Sequence, residues 1–412
     1  MTHVQEREPG SDPAHMRTPH RLDLSIDVSA VPSRPAGAGI YVRELARALV
    51  RRDDVDVTLV ARKDDAARWR ELAGRRGNAA SARVLAVAPA NRPLRLLWEQ
   101  IELSRLLRSP DVASRVHHSP HYTMPERARL PVVVTVHDCT FFDHPEWHER
   151  SKVLLFRRAI RVASERASVV ICVSQATADR LQELCDVRAE IFVVPHGIDH
   201  DRFRAGEEYR DSDRAQLRSL GLDADRAMIV YVGTLEPRKG IVTLIEAFDA
   251  LSAGSDEGRS DVTLVLAGQK GWGTREIDDA IGRSKMRDRI AVTGYVPDEA
   301  VPSLLRSASA VVYAPEEEGF GLPAVESLAC GAPLVTTKAS VMADLVGEAA
   351  ELIAPRSPRD LKDALESLLF GNESGDRRVR RRELGIKIAA RLTWEASAQL
   401  HMEAYDAALK RR

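Results

Sequence analysis

The apolar residues of this chain fall into two alternating rhythms. Short unbroken runs rich in Val, Ile, Leu and Ala occur at 22–28, 55–60, 83–87, 131–136, 168–173 and 190–194, and each reads as a buried strand. Between them lie stretches whose apolar positions recur three and four apart: 39–52, with Ile40, Val42, Leu45, Ala46 and Leu49 on one side, then 64–75, 94–107, 147–166 and 175–184. These read as helices, each with one face for a sheet and one for water. The same alternation resumes further on. Strands are expected at 228–232, 262–267, 289–292 and 308–313, and another begins at Pro333. Helices are expected at 213–220, from Ile241, and at 322–330, 358–370, 376–392 and 394–409. Strand and helix in strict alternation imply parallel sheets covered on both faces, so the fold class is α/β.

A polar, charged stretch at 200–212 divides the two series and reads as a linker. It follows Pro195-His196-Gly197-Ile198-Asp199. The division expected is a tail at 1–20, a first domain at 21–199, the linker at 200–212, a second domain at 213–392, and a closing helical segment at 393–412. The first twenty residues are polar, with Pro and His and no apolar centre, so they read as disordered and not as a signal peptide. At 412 residues the chain is long enough for two separate cores.

Composition narrows the class. The chain is 44% apolar and 29% charged, as in soluble globular proteins, and its longest apolar runs fall short of a membrane span. Cys139, Cys172, Cys185 and Cys330 are scattered without a Cys-x-x-Cys pair, which reads as reduced thiols and a cytoplasmic location. No clustering of His and Cys suggests zinc. Net charge is −1, with the basic excess in the first half and the acidic excess in the second. That argues against general nucleic-acid binding and leaves room for a basic face on the first domain.

The stretch with the most chemistry is 314–335, APEEEGFGLPAVESLACGAPLV. It reads as strand, loop, helix, strand, with Gly319-Phe320-Gly321 as the loop, Leu322-Pro323 opening the helix and Gly331 closing it. Glycines let backbone N–H groups approach a ligand, and a helix N-terminus favours anions. Glu318 stands before the loop and Glu326 about one turn into the helix. Glu316 and Glu317 complete a run of three acids; spacing and the adjacent glycine select Glu318. A similar device follows the strand at 228–232: Gly233-Thr234-Leu235-Glu236-Pro237-Arg238-Lys239-Gly240, a glycine loop with two cations ahead of a helix. Arg can clamp phosphate oxygens and Lys adds a point charge. His137 and Asp138 end a β-branched strand, where open α/β sheets bind their ligands. His117, His118, His121 and His144 are weaker candidates; His117 and His118 follow a strand and can share the cleft. Gly37-Ala38-Gly39 resembles the start of a dinucleotide fingerprint, but Val42 fills the place of its third glycine.

Together these motifs resemble family 4 glycosyltransferases, over roughly residues 22 to 409. The resemblance implies the GT-B fold: two Rossmann-like, doubly wound domains facing a central cleft, with the last helix crossing back to the first domain. It implies a retaining, metal-independent hexosyltransferase whose substrate is a nucleotide-diphosphate sugar, with no cofactor. By the family pattern His137, Arg238, Lys239 and Glu318 carry the reaction: the two cations on the diphosphate, Glu318 and His137 on the sugar. Glu326 contacts the ribose. Gly39, Gly233, Thr234, Gly319, Phe320, Gly321 and Leu322 complete the donor site, and Gly294 and Tyr295 lie against the base. The loop VVVTVHDCTFFDHPEW is similar to bacterial mannosyltransferases, which points to GDP-mannose and a role in polysaccharide biosynthesis. A UDP- or dTDP-sugar remains open, and the acceptor is a saccharide or lipid-linked saccharide, or else a small soluble molecule. A non-catalytic nucleotide-sugar-binding subunit would have lost one of the charged residues, and none of Arg238, Lys239, Glu318 and Glu326 is missing; a sugar-nucleotide epimerase would carry a different acid/base set. Helices 94–107 and 147–166 mix Leu, Ile, Phe and Trp with several arginines. Either they dock on an anionic membrane at its inner face, or their apolar residues face the sheet and their arginines face water.

Overall fold

A computed structural model describes residues 21–74, 82–109, 112, 114–252, 261–338, 341–371 and 375–411. The tail expected at 1–20 and Arg75, the expected end of the second helix, lie outside the described residues. Two parallel sheets form the frame. The first takes β1 Leu22–Asp27, β2 Val55–Arg62, β3 Arg83–Ala88, β4 Val116–Ser119, β5 Val132–Val136, β6 Val169–Cys172 and β7 Glu190–Val193, in the order β3-β2-β1-β4-β5-β6-β7. The second takes β8 Ala227–Val232, β9 Val262–Ala267, β10 Ile290–Gly294, β11 Ala310–Tyr313, β12 Leu334–Thr337 and β13 Ala350–Ile353, in the order β10-β9-β8-β11-β12-β13. Strand order reverses between β1 and β4 in one sheet and between β8 and β11 in the other. A crevice opens beyond the strand ends at such switch points, and the chemistry-bearing loops lie there.

The central strands β4, β5, β6, β11 and β12 are buried at every position. This is why β5, β6 and β11 read as apolar runs. His117 and His118 correct that rule. They sit within β4, fully buried, and do not follow it. His118 uses both ring nitrogens inside the domain, on Thr135 and Tyr405, and His117 meets Ser25 Oγ at 2.9 Å by Nδ1; neither lines the cleft. The helix expected at 94–107 runs as Arg92–Trp98, a π-turn Glu99–Leu103 and Ser104–Leu106; the extra residue of a π-turn shifts the helical face and buries Glu99. The helix expected at 147–166 is broken at its start into a 3₁₀ turn, Pro145–Trp147, and the helix Arg150–Arg166. The helix expected from 213 opens at Arg210, inside the stretch read as linker. Its Asp213 is buried in a two-pronged pair with Arg306, at 2.8 and 2.6 Å.

The closing helix, Trp394–Lys410, packs on the first domain. Its entry is set by close backbone contact. Ile198 donates its N–H to Leu392 at 3.0 Å, and a Cβ on Gly197 would lie 2.2 Å from the backbone nitrogen of Trp394. Further along, buried groups form a hydrogen-bond chain whose direction is fixed. His401 Nδ1 faces the Ser397 carbonyl at 2.7 Å and must donate, so neutral His401 accepts at Nε2 from Tyr41 Oη–H, 2.8 Å away. The Tyr41 oxygen then accepts from Thr135 Oγ1–H at 2.9 Å, Thr135 accepts from His118 Nε2–H at 2.8 Å, and His118 Nδ1 accepts from Tyr405 at 2.9 Å. Burial pushes His118 well down and His401 down to about 4, so both are neutral as the chain requires.

Tyr41→Phe should therefore strand His401 Nε2 and the Thr135 hydroxyl together. We expect a loss of about 1–3 kcal/mol in urea unfolding. Unchanged stability would show that the chain of bonds contributes nothing.

Candidate functional site

Between the two switch points lies a cleft of about 390 Å³. The first domain contributes Ala36, Gly37, Ala38, Ile40 and Arg43 from the loop and helix after β1, Tyr122 beyond β4, and His137 and Asp138 beyond β5. The second contributes the loop from Gly233 to Lys239 beyond β8, and Tyr313, Glu318, Gly319, Phe320, Gly321, Leu322 and Glu326 beyond β11. The two walls touch at one point without side chains: a Cβ on Gly319 would fall 1.8 Å from the His137 carbonyl oxygen. Only glycine allows that approach.

The cation turn is shaped by its glycines. Gly233 has φ 150° and Gly240 φ 73°, values that L side chains avoid. The helix Ile241–Ser252 starts directly after Gly240. Lys239 is buried, with Nζ 3.2 Å from Tyr313 Oη and in contact with Glu318 Oε2. Tyr313 Oη donates to the same Glu318 oxygen at 3.1 Å, and an Arg238 Nη stands 3.8 Å from it. Arg238 Nε also donates to Glu236 at 2.8 Å. Burial alone would raise the Glu318 carboxyl, but Lys239 and Arg238 outweigh it and hold it below the usual carboxylate range.

The three consecutive acids have three different partners. Glu316 pairs with Arg356 and Glu317 with His144 Nε2 at 2.9 Å, both away from Lys239. Glu318 alone meets the two cations. Beyond it, Gly321 takes φ 89° as the residue before the helix Leu322–Ala329, whose first turn carries no acid.

His137 Nε2 lies 2.9 Å from the Pro120 carbonyl, so it carries the proton and donates. Burial lowers the imidazole pKa, against the pull of the Pro120 carbonyl and Asp138. Neutral His137 is left with an acceptor nitrogen, Nδ1. The ring is held edge-on to Tyr41 at 5.1 Å, with His196 at 6.0 Å; His196 in turn meets Phe320 at 4.7 Å. Glu326 faces the cleft near Arg202, and burial pushes its carboxyl up to about 7 despite that cation.

The structure brings His137, Arg238, Lys239, Glu318, Gly233, Thr234, Gly319, Phe320, Gly321, Leu322 and Glu326 to this one cleft. It does not bring Gly39, Gly294 or Tyr295 there. Gly39 is buried inside the helix Ala38–Val50, and a Cβ on it would meet Pro35 at 3.0 Å; the cleft wall is made by its neighbours, with Gly37 at φ 48°. Tyr295 is exposed, with Arg34 4.9 Å over its ring. That loop reaches the cleft through Asp298 instead, which accepts from Arg43 at 3.0 Å and, by its carbonyl, from Arg202 at 2.6 Å. Sequence reasoning also passed over Tyr122, Asp138 and Tyr313. Asp138 directly follows His137 and was open to view; the other contacts depend on strands distant in sequence. Of the weaker histidines, His121 lies behind the His137 wall and His144 stacks on Trp147 at 3.8 Å.

With this geometry in view, two family models match the chain, one on each domain. "Glycosyltransferase Family 4" matches residues 35–202, and "Glycosyl transferases group 1" matches residues 212–384. The chain is similar to O-antigen chain mannosyltransferase B of Escherichia coli, 27% identical over 72% of this chain and 75% of the relative. It is also similar to alpha-D-kanosaminyltransferase of Streptomyces kanamyceticus, 28% identical over 68% of this chain and 74% of that one. Among solved structures, sucrose-phosphate synthase from Thermosynechococcus elongatus superposes with a TM-score of 0.74, at 19% identity, over 94% of this chain and 98% of that one.

The raised Glu326 carboxyl has a consequence for stability. An unfolded Glu titrates near 4.5, so the native state holds the proton more tightly. Ionising it in place destabilises the fold progressively as pH rises from about 4.5 to about 7. Glu326→Gln, which cannot ionise, should match the parent at pH 4.5 and exceed it at pH 8 by on the order of 3 kcal/mol. Urea unfolding at the two pH values measures this, and an equal parent and variant at pH 8 would refute it.

Proposed function

This chain is a glycosyltransferase of family 4 with two Rossmann-like domains of the GT-B type, and we propose that it transfers a hexose, with retention and without a metal, from a nucleotide-diphosphate donor lying in the cleft. The observation that carries the reading is the convergence of Arg238, Lys239 and Glu318 on one point, opposite His137. A departing nucleoside diphosphate gathers negative charge while the sugar becomes oxocarbenium-like. Arg238 and Lys239 stand fixed where that charge develops, and the helix starting at Leu322 adds its positive end. Two such cations serve the role a divalent metal would otherwise fill.

Glu318 accepts hydrogen bonds from the sugar hydroxyls, and His137 offers Nδ1 to another. Glu326 takes the ribose hydroxyls best when ionised. The C1–O bond breaks with its electron pair on the phosphate oxygen. The acceptor oxygen bonds to C1 on the same face, and its proton passes to that phosphate oxygen. The likeness to the Escherichia coli mannosyltransferase supports mannose, from GDP-mannose, and a saccharide or lipid-linked acceptor. A second reading, a UDP- or dTDP-sugar carried to a small acceptor, draws on the likeness to the kanosaminyltransferase.

The acid run supplies the test. Glu318→Gln keeps size and weakens the acceptor, so transfer should fall about ten- to a hundredfold, the value of one charge-assisted hydrogen bond in the transition state. Glu316→Gln and Glu317→Gln disturb only Arg356 and His144 and should be nearly silent. Nucleoside diphosphate alone should bind all three alike. Equal rates of transfer across the set would remove Glu318 from the sugar site.

The lipid-linked acceptor gains support from the first domain's surface. No helix among the described residues is long and apolar enough to cross a membrane. Yet Leu94, Leu97, Ile101 and Leu154 turn outward, 57%, 58%, 40% and 73% exposed, on the two arginine-bearing helical stretches. Arg105 and Arg158 on the same stretches are exposed, each paired with a glutamate, Glu102 and Glu126. This arrangement suits peripheral contact with an anionic bilayer. Binding to phosphatidylglycerol vesicles should appear at low salt and weaken as salt rises, and Leu94→Ser with Leu97→Ser should abolish it. Failure to sediment with vesicles at low salt would leave the patch without this role.

A further inference from the structure

A cavity of about 650 Å³ lies at the outer edge of the second sheet and shares no wall residue with the donor cleft. Its apolar side is Ala350 and Leu352 of the edge strand β13, and its cationic side is Arg377, Arg380 and Arg381 of the helix Gly375–Ala389. Glu348, on the turn before β13, stands at the rim. Residues two apart on a strand share one face of the sheet, and residues three and four apart share one face of a helix. The cavity is therefore the angle between an apolar strand face and a helix face bearing three guanidinium groups.

The arginines exceed what the fold uses. Five occupy six consecutive positions, 377, 378, 380, 381 and 382, in the half of the chain that otherwise carries the acidic excess. Two serve the packing. Arg378 donates to the Leu368 carbonyl at 2.6 Å, and Arg382 lies so close over Gly331 that a Cβ there would fall 2.8 Å from its Nε. Arg381 pairs with Glu351. Arg377 and Arg380 are exposed. Neither Arg380 nor Glu348 makes an ion pair among the described residues, so the acid at the rim does not neutralise the wall. Like charges at this spacing repel along the helix. The helix is nevertheless held firmly: its Gly385 is buried, and a Cβ there would lie 2.9 Å from Leu328 of the helix Leu322–Ala329. The cations thus stand on a fixed element, which lowers the cost of ordering them around an anion.

We propose that this cavity is a second anion site, separate from the donor cleft, for a small molecule bearing a phosphate or diphosphate group. Arg377 and Arg380 take the phosphate oxygens, since the planar guanidinium fork matches two of them at once. Arg381, already turned toward Glu351, adds charge, and Ala350 and Leu352 receive the less polar part of the ligand. The volume is that of small-molecule sites, and its concave wall suits a compact ligand better than a bilayer. The site does not depend on how the donor cleft is read.

The test titrates the full chain with inorganic pyrophosphate by isothermal calorimetry. A site should appear that survives Arg238→Gln in the cleft. Arg377→Gln with Arg380→Gln should weaken it about ten- to a hundredfold, the value of a lost charge-assisted hydrogen bond. Arg380→Lys, an exposed change that keeps the charge and loses the fork, should also weaken it. Binding lost on Arg238→Gln alone would assign the pyrophosphate to the cleft and overturn the proposal. So would binding indifferent to Arg377 and Arg380 in folded variants, or binding of phosphatidylglycerol vesicles or a polyglutamate peptide through these arginines with none of pyrophosphate.

Discussion

The chain of hydrogen bonds from Tyr405 through His118, Thr135, Tyr41 and His401 to the Ser397 carbonyl is the constraint on which the cleft depends. It runs in one direction only, because a carbonyl at one end forces every proton along it. It fixes the last helix to β4, β5 and the first helix at once. That helix also follows directly on the second domain, so the same bonds anchor the end of that domain to the first. Tyr41 then touches His137 and His196 by its ring, so the position of the cleft histidine is determined by groups that never meet a ligand.

Within the cleft, two carboxylates are held in opposite states by their surroundings. Glu318 is depressed by two adjacent cations and stays ionised; at Glu326 burial outweighs Arg202 and Arg43, and the carboxyl is raised toward neutral pH. Preorganisation is strongest where charge must be stabilised and weaker where a ligand must dock. Lys239 is buried and already bonded, so little reorganisation is needed when an anion arrives. The glycines at 233, 240, 319 and 321 give the backbone the conformations and close approaches that this placement requires.

By itself the sequence determined the class of fold and most of the second domain's side of the cleft. Unbroken apolar runs and 3.6-residue periodicity are local, so most strands and helices could be read from apolar spacing, though not β4 with its two histidines or β13. The glycine loops at 233–240 and 319–321 could be read as well, because each motif is contiguous and ends a strand. Gly39 lies buried in the helix and it is Gly37 that takes the positive φ, a difference that spacing alone does not show. Gly294 and Tyr295 do not line the cleft, whereas Asp298 of the same loop does, because which loop residue reaches across is set by the opposite domain, here by Arg43 and Arg202. Spacing selected Glu318 from its run, yet only the fold gave Glu316 and Glu317 other partners. The buried histidines of β4 and the buried Glu99 were invisible in one dimension. Their environment comes from residues dozens to hundreds of positions away, and burial, which decides protonation and unmet hydrogen bonds, is a property of that packing alone.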